Sequence, residues 1–147
     1  MSEPLVQIDG MRALRRDLIK LDREEVPKAL VAAGVAVAEP LVGRIRSALP
    51  TNDRPPPRGR HPGLASTVRA AKIRTGAAVR VGTKAVPYAG WVEFGGRRTR
   101  PHESYRPFQP EGRYIFPTAR AAGPEAVRRY SEEVSRVFDR FVWSNRD

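Results

Sequence analysis

Between Gln7 and Leu21 the apolar residues Ile8, Met11, Leu14, Leu18 and Leu21 recur three or four apart, with Arg12, Arg15, Arg16, Asp17 and Lys20 among them. That spacing lines one stripe of an α-helix. Pro27 disfavours helical geometry at Val26, so a kink or break is expected after Asp22 to Glu25. Pro27 itself suits the first position of a second helix, where its missing N–H has no use. Leu30, Gly34, Val37, Leu41, Ile45 and Ala48 keep one face of that helix apolar, and Ala32, Ala33, Ala36 and Ala38 make it thin enough for close packing. The periodicity runs on through Pro40, which predicts a bend rather than a stop.

Residues 50–63 have five prolines, two glycines and no apolar periodicity, the composition of a long mobile loop. Leu64 to Ile73 and Ala77 to Val81, separated by the polar step Arg74-Thr75-Gly76, read as a β-hairpin. Val86 to Gly96 is compact and aromatic, with Tyr88, Trp91, Val92 and Phe94, and fits either a short strand or one helical turn. Residues 97–113 return to loop composition. Tyr114, Ile115 and Phe116 read as a short strand or strand end. Pro124 is expected to start a last helix, whose apolar stripe is Val127, Tyr130, Val134, Val137, Phe138 and Phe141.

The resulting expectation is a single α+β domain with kinked N-terminal helices and a C-terminal helix on a small, mostly antiparallel sheet with long basic loops. Its parts are a helical region at 7–49, a basic Pro-rich loop at 50–63, a hairpin and aromatic segment at 64–96, a basic loop at 97–113, and a strand end and helix at 114–142. A length of 147 residues fits one domain. The longest uncharged apolar run, Ala29 to Ala38, is half of what a bilayer crossing needs, and no secretory signal pattern is seen, so a soluble protein is expected.

Charge alters this picture. The 27 basic and 16 acidic residues give a formal net charge of +11. Residues 51–113 hold 13 basic and 4 acidic side chains, whereas the flanking stretches are nearly balanced. An anionic partner is therefore among the candidates. Arg54, Arg58, Arg60, Arg97, Arg98, Arg100, Arg106 and Arg113 are the candidate contacts to partner proteins or to a DNA backbone. The alternative is that they are solvated or paired with acids of a neighbouring subunit. Because they lie in loops rather than on one recognition helix, backbone contact is favoured over base reading.

Catalytic patterns are missing. The two histidines, His61 and His102, sit in Pro- and Arg-rich loops with nothing local to hold their geometry. The chain has no cysteine and no His-x3-His or Asp-x-Asp pattern, so no metal site is expected. Its glycines do not form a phosphate-binding turn, so no cofactor is expected. Glu24-Glu25 and Glu132-Glu133 read as solvated helix faces. An enzyme is not expected. Tyr88 and Trp91 either stack on bases or, as their usual burial favours, pack beneath the hairpin.

The run Val79-Arg80-Val81-Gly82-Thr83, then Pro87-Tyr88-Ala89, then Trp91-Val92-Glu93-Phe94-Gly95 resembles the small tail-component or neck proteins of long-tailed bacteriophages. Gly63-Leu64 before the first strand and Ile115-Phe116-Pro117-Thr118-Ala119 at the last helix extend the resemblance over roughly residues 28 to 141. It implies a virion structural protein without catalytic residues, forming a homo-oligomeric ring in the connector between the DNA-filled head and the tail. Other connector and tail proteins are the implied partners, with packaged duplex DNA in the channel as a further candidate and no membrane. The virion head–tail interface is the implied location, with synthesis in the host cytoplasm. The motif residues are Gly82, Tyr88, Ala89, Trp91, Glu93, Phe94 and Gly95. Gly82 and Gly95 are expected to allow turns. Glu93, if buried, needs a partner such as Arg80; otherwise it is an exposed rim carboxylate. The alternative function is a free, non-sequence-specific nucleic-acid-binding protein.

Overall fold

The computed structural model describes residues 11–50, 63–74, 76–98 and 104–144. Two helices open it, α1 (Met11–Leu21) and α2 (Glu25–Ala48). A 3-10 turn at Leu64–Thr67 leads into the antiparallel pair β1 (Arg69–Ile73) and β2 (Gly76–Arg80). A short helix α3 (Ala89–Phe94) is followed by a second antiparallel pair, β3 (Gly96–Arg98) and β4 (Ser104–Arg106), and by the long helix α4 (Ile115–Ser144). The class is α+β, with two separate two-stranded sheets. Residues 51–62, most of the first basic loop, lie outside the described residues.

The chain does break before Pro27, but α2 begins two residues earlier than Pro27. The cause is Asp22, whose Oδ1 accepts the N–H groups of Glu24 and Glu25, both at 2.8 Å. These donors would otherwise be orphans of the first turn. Pro27 then occupies the third helical position, which still needs no N–H partner. The N–H of Glu25 and then of Glu24 hold the Asp22 carboxyl below its ordinary value of 3.8. A folded-state value depressed in this way contributes stability that is present above the unfolded value and lost as pH falls through the folded one. Hydrogen exchange at Glu24 and Glu25 is therefore expected to quicken below about pH 4, and Asp22→Ala to bring the same quickening at pH 7.

Helix α2 is continuous through Pro40, as the periodicity requires. By length and composition it is apolar enough to cross a membrane, where its uncharged run alone suggested otherwise. Here that apolar character serves packing. Val26 and Leu30 meet Leu18 of α1 and Val134 and Val137 of α4 in one cluster. Val42 and Ile45 join Leu64, Val68, Val86 and Val92 in another. Each such aliphatic side chain contributes about 1.5–3 kcal/mol by leaving water. The thin middle of the helix lets β2 approach closely, with Ala77 seated over Gly34. Arg46 Nη2 donates to Val68 O at 2.7 Å, and Arg44 pairs with Glu125, tying α2 to β1 and to α4.

Two expectations need correction. Residues 114–116 do not end a strand and Pro124 does not start the last helix: α4 begins at Ile115 and continues through Pro124. The nearer proline, Pro117, sits in its first turn, where proline is tolerated. Residues 97–113 are not a plain loop either, since β3 and β4 pair with Arg97 opposite Tyr105.

Candidate functional site

The motif segment lies where β2, α3 and α4 converge. Gly82, at φ +86, follows β2 and donates its N–H to Oγ1 of the buried Thr67 at 2.8 Å. Thr83 and Val86 pair across the next turn. Tyr88 flanks α3 and accepts the Val92 N–H at 3.0 Å. Tyr88, Ala89 and Trp91 are half-buried and pack against the second core cluster. Trp91 Nε1 donates to Gly96 O at 3.1 Å, which draws the start of β3 onto α3.

Glu93 is the centre of this arrangement. Its side chain is 1% exposed. Oε2 accepts the N–H groups of Tyr114 and Ile115 at 3.0 and 2.9 Å, and Oε1 accepts that of Phe116 at 2.9 Å. One carboxylate thus satisfies three donors at the start of α4 and places a negative charge at the positive end of that helix. The partner is a helix terminus, not Arg80, which is exposed at the end of β2. Gly112 makes the approach possible: at φ +79, a Cβ there would collide with Glu93 Oε1. Phe94 packs its ring on Phe116, centroids 5.3 Å apart, beside the same junction.

Two of the candidate contact arginines have internal roles. Arg106 lies over the rings of Trp91 and Tyr114, 5.8 and 5.6 Å from their centroids. It also donates to Val92 O at 3.1 Å and to Tyr114 Oη at 2.8 Å. Arg113 donates to Glu93 O at 3.4 Å and to Pro107 O. A planar, multidentate guanidinium suits both places. Arg97 is exposed on β3. Arg98 ends that strand. Arg54, Arg58, Arg60 and Arg100, and both histidines, lie outside the described residues.

What this scaffold presents to solvent is aromatic. Tyr105, on β4, is 75% exposed and Phe108, just beyond it, is 67% exposed. Sequence reasoning passed over both, since the prolines and arginines of 97–113 dominated that stretch. For Tyr105 the signal is alternation, since it neighbours the inward-turned Arg106 on β4; Phe108 lies beyond the strand and carries no such signal. Gln109 N–H donates to Phe94 O at 2.8 Å, which holds this segment to the end of α3. Tyrosine, phenylalanine and arginine together are the side chains enriched at the centres of protein interfaces.

Among the described residues no group of three or more histidine and carboxylate side chains could hold a metal. An open groove of about 720 Å³ lies between α2 and α4, lined by small residues such as Gly43, Ala48, Ala121 and Ala122. No nucleophile and base converge in it. Comparison with known protein families, with curated proteins and with solved structures returns no match.

Proposed function

We propose that the protein is a virion structural component of the head-to-tail connector of a long-tailed bacteriophage, assembling as a ring by protein–protein contact and without catalysis. One observation carries the reading: two large aromatic side chains, Tyr105 on β4 and Phe108 just beyond it, stand in water on a segment held by Arg106, Arg113 and the Gln109 N–H to Phe94 O bond. A side chain displayed on so rigid a mount loses little freedom on docking, so more of its burial energy appears as affinity. The resemblance of Val79 to Gly95 to the neck and tail-component proteins gives the assembly its context. Rings need heterologous contacts, in which this patch meets a different patch on the next subunit.

Particles made without the protein are expected to accumulate as separate filled heads and tails in electron micrographs. Normally joined particles overturn the reading. Tyr105→Ala and Phe108→Ala are each expected to weaken ring assembly about thirtyfold, the effect of losing an interface anchor of about 2 kcal/mol, with the thermal midpoint of the subunit unchanged.

A further inference from the structure

Arg69 and Arg80 on the outer face of the β1–β2 hairpin, and Lys84 on the turn after β2, form no ion pair among the described residues. From Gly63 to Val92 the sequence has five basic residues, Arg69, Lys72, Arg74, Arg80 and Lys84, and no acidic one. Strand register places Arg69 directly opposite Arg80. Ala70 and Val79 on the next rung pack against the core, so by alternation Arg69, Ala71 and Ile73 with Arg80 and Ala78 share the face turned away from it. Two like charges on one rung destabilise an antiparallel ladder. Arg69 Nη1 donates to Thr67 O at 3.1 Å and Gly82 O at 3.4 Å, which fixes its guanidinium beside the turn that bears Lys84. Lys72 shares the core-side face with Ala70 and Val79, whereas Arg80 and Lys84 are exposed and neither has a partner among the described residues.

We propose that this face binds the phosphate backbone of duplex DNA. It is a binding surface distinct from the Tyr105–Phe108 patch, and it stands whether or not the protein forms a ring. Two features select a polyanion over an acidic protein or a membrane. On this face the next outward rung after Arg69–Arg80 is Ala71–Ala78, whose small side chains let a phosphate chain approach the strands. Among the described residues the only large apolar side chain on this face is Ile73, 37% exposed, so the face lacks the aromatic anchor of a protein interface and the bulky wedge of a membrane-inserting one. With no acid or amide on the face to read base edges, binding is independent of sequence.

The test is fluorescence anisotropy of the full chain with a labelled duplex of roughly 25 base pairs, titrated upward from about 50 mM salt. Binding is expected with log affinity falling linearly in log salt. Arg80→Gln combined with Lys84→Gln is expected to lower the slope by about 2 units and the affinity at low salt about tenfold, equally for duplexes of different sequence. Arg128→Gln combined with Arg136→Gln, an equal loss of charge on α4, is expected to leave the slope as in the wild type. Equal effects of the two pairs, absence of duplex binding at low salt, or equally tight binding of poly-glutamate or of anionic lipid vesicles would each overturn the proposal. Unchanged thermal midpoints in both double variants exclude misfolding as the cause.

Discussion

Replacing Glu93 with alanine is expected to cost about 3–5 kcal/mol of folding stability, measured by urea denaturation at neutral pH. Three backbone donors, those of Tyr114, Ile115 and Phe116, converge on this carboxylate at 2.9–3.0 Å, and the site is closed to solvent. Alanine removes every acceptor at once and leaves the donors buried and unpaired, each at a cost of about 1 kcal/mol or more. It also removes the anion from the positive end of α4. Glu93→Gln keeps the side-chain volume and one acceptor oxygen but turns an NH2 group toward N–H donors. It is expected to fall between wild type and alanine. In both variants hydrogen exchange at 114–118 is expected to quicken well before exchange in α2. An alanine variant within about 1 kcal/mol of wild type would falsify the capping role. Gly112→Ala should be damaging through the same atoms, and its cost should shrink in the alanine background, because the collision with Oε1 is then gone while the strain at φ +79 persists.

Gly95→Ala is expected to be comparably severe, about 3 kcal/mol or more, by the sum of two effects. At φ +79 and ψ −151 the residue adopts a backbone shape that side chains other than glycine's hydrogen strongly disfavour. A methyl group there would also drive into Pro107 O and stand 2.9 Å from Arg106 O, both backbone atoms. Neither wall can retreat: Gly95 N–H is tied to Trp91 O and Gln109 N–H to Phe94 O, each at 2.8 Å. The displaced element is the β3–β4 hairpin, so the variant should lose assembly together with stability. Gly90→Ala supplies the contrast within α3. An added Cβ there meets nothing within 4 Å, and alanine in a helix is favoured over glycine by about 0.5–1 kcal/mol. Opposite signs at positions 90 and 95 in one thermal melt are the expected result.

Much of the fold was legible from local pattern. The three-to-four spacing at Leu14 and Leu18, and at Leu30, Val37, Leu41 and Ile45, marks two helices because a helical face repeats within a single turn. The break before Pro27 and the hairpin around Arg74 and Gly76 follow from backbone chemistry of one or two residues. The need of a buried Glu93 for a partner follows from the cost of burying an unpaired carboxylate. The identity of that partner does not. An arginine is the default mate for a carboxylate by charge, whereas the actual mates are three N–H groups belonging to no particular residue type. The same gap explains the misplaced start of α4: Pro124 carries a local start signal, while the real start depends on an acceptor more than twenty residues upstream. Arg106 and Arg113 looked like free charge for want of any sign that Trp91, Tyr114 and Pro107 would enclose them.

The sequence by itself determined that α1, α2 and the body of α4 are helical, where the β1–β2 hairpin turns, and that the positive charge gathers in the middle of the chain, because periodicity, proline chemistry and charge are properties of near neighbours. Only the tertiary structure decided which cations are enclosed and which face water, and that α4 begins at Ile115 under the Glu93 carboxylate. Those outcomes depend on atoms brought together from distant parts of the chain, where burial makes every unpaired donor costly and so selects the one packing that satisfies them.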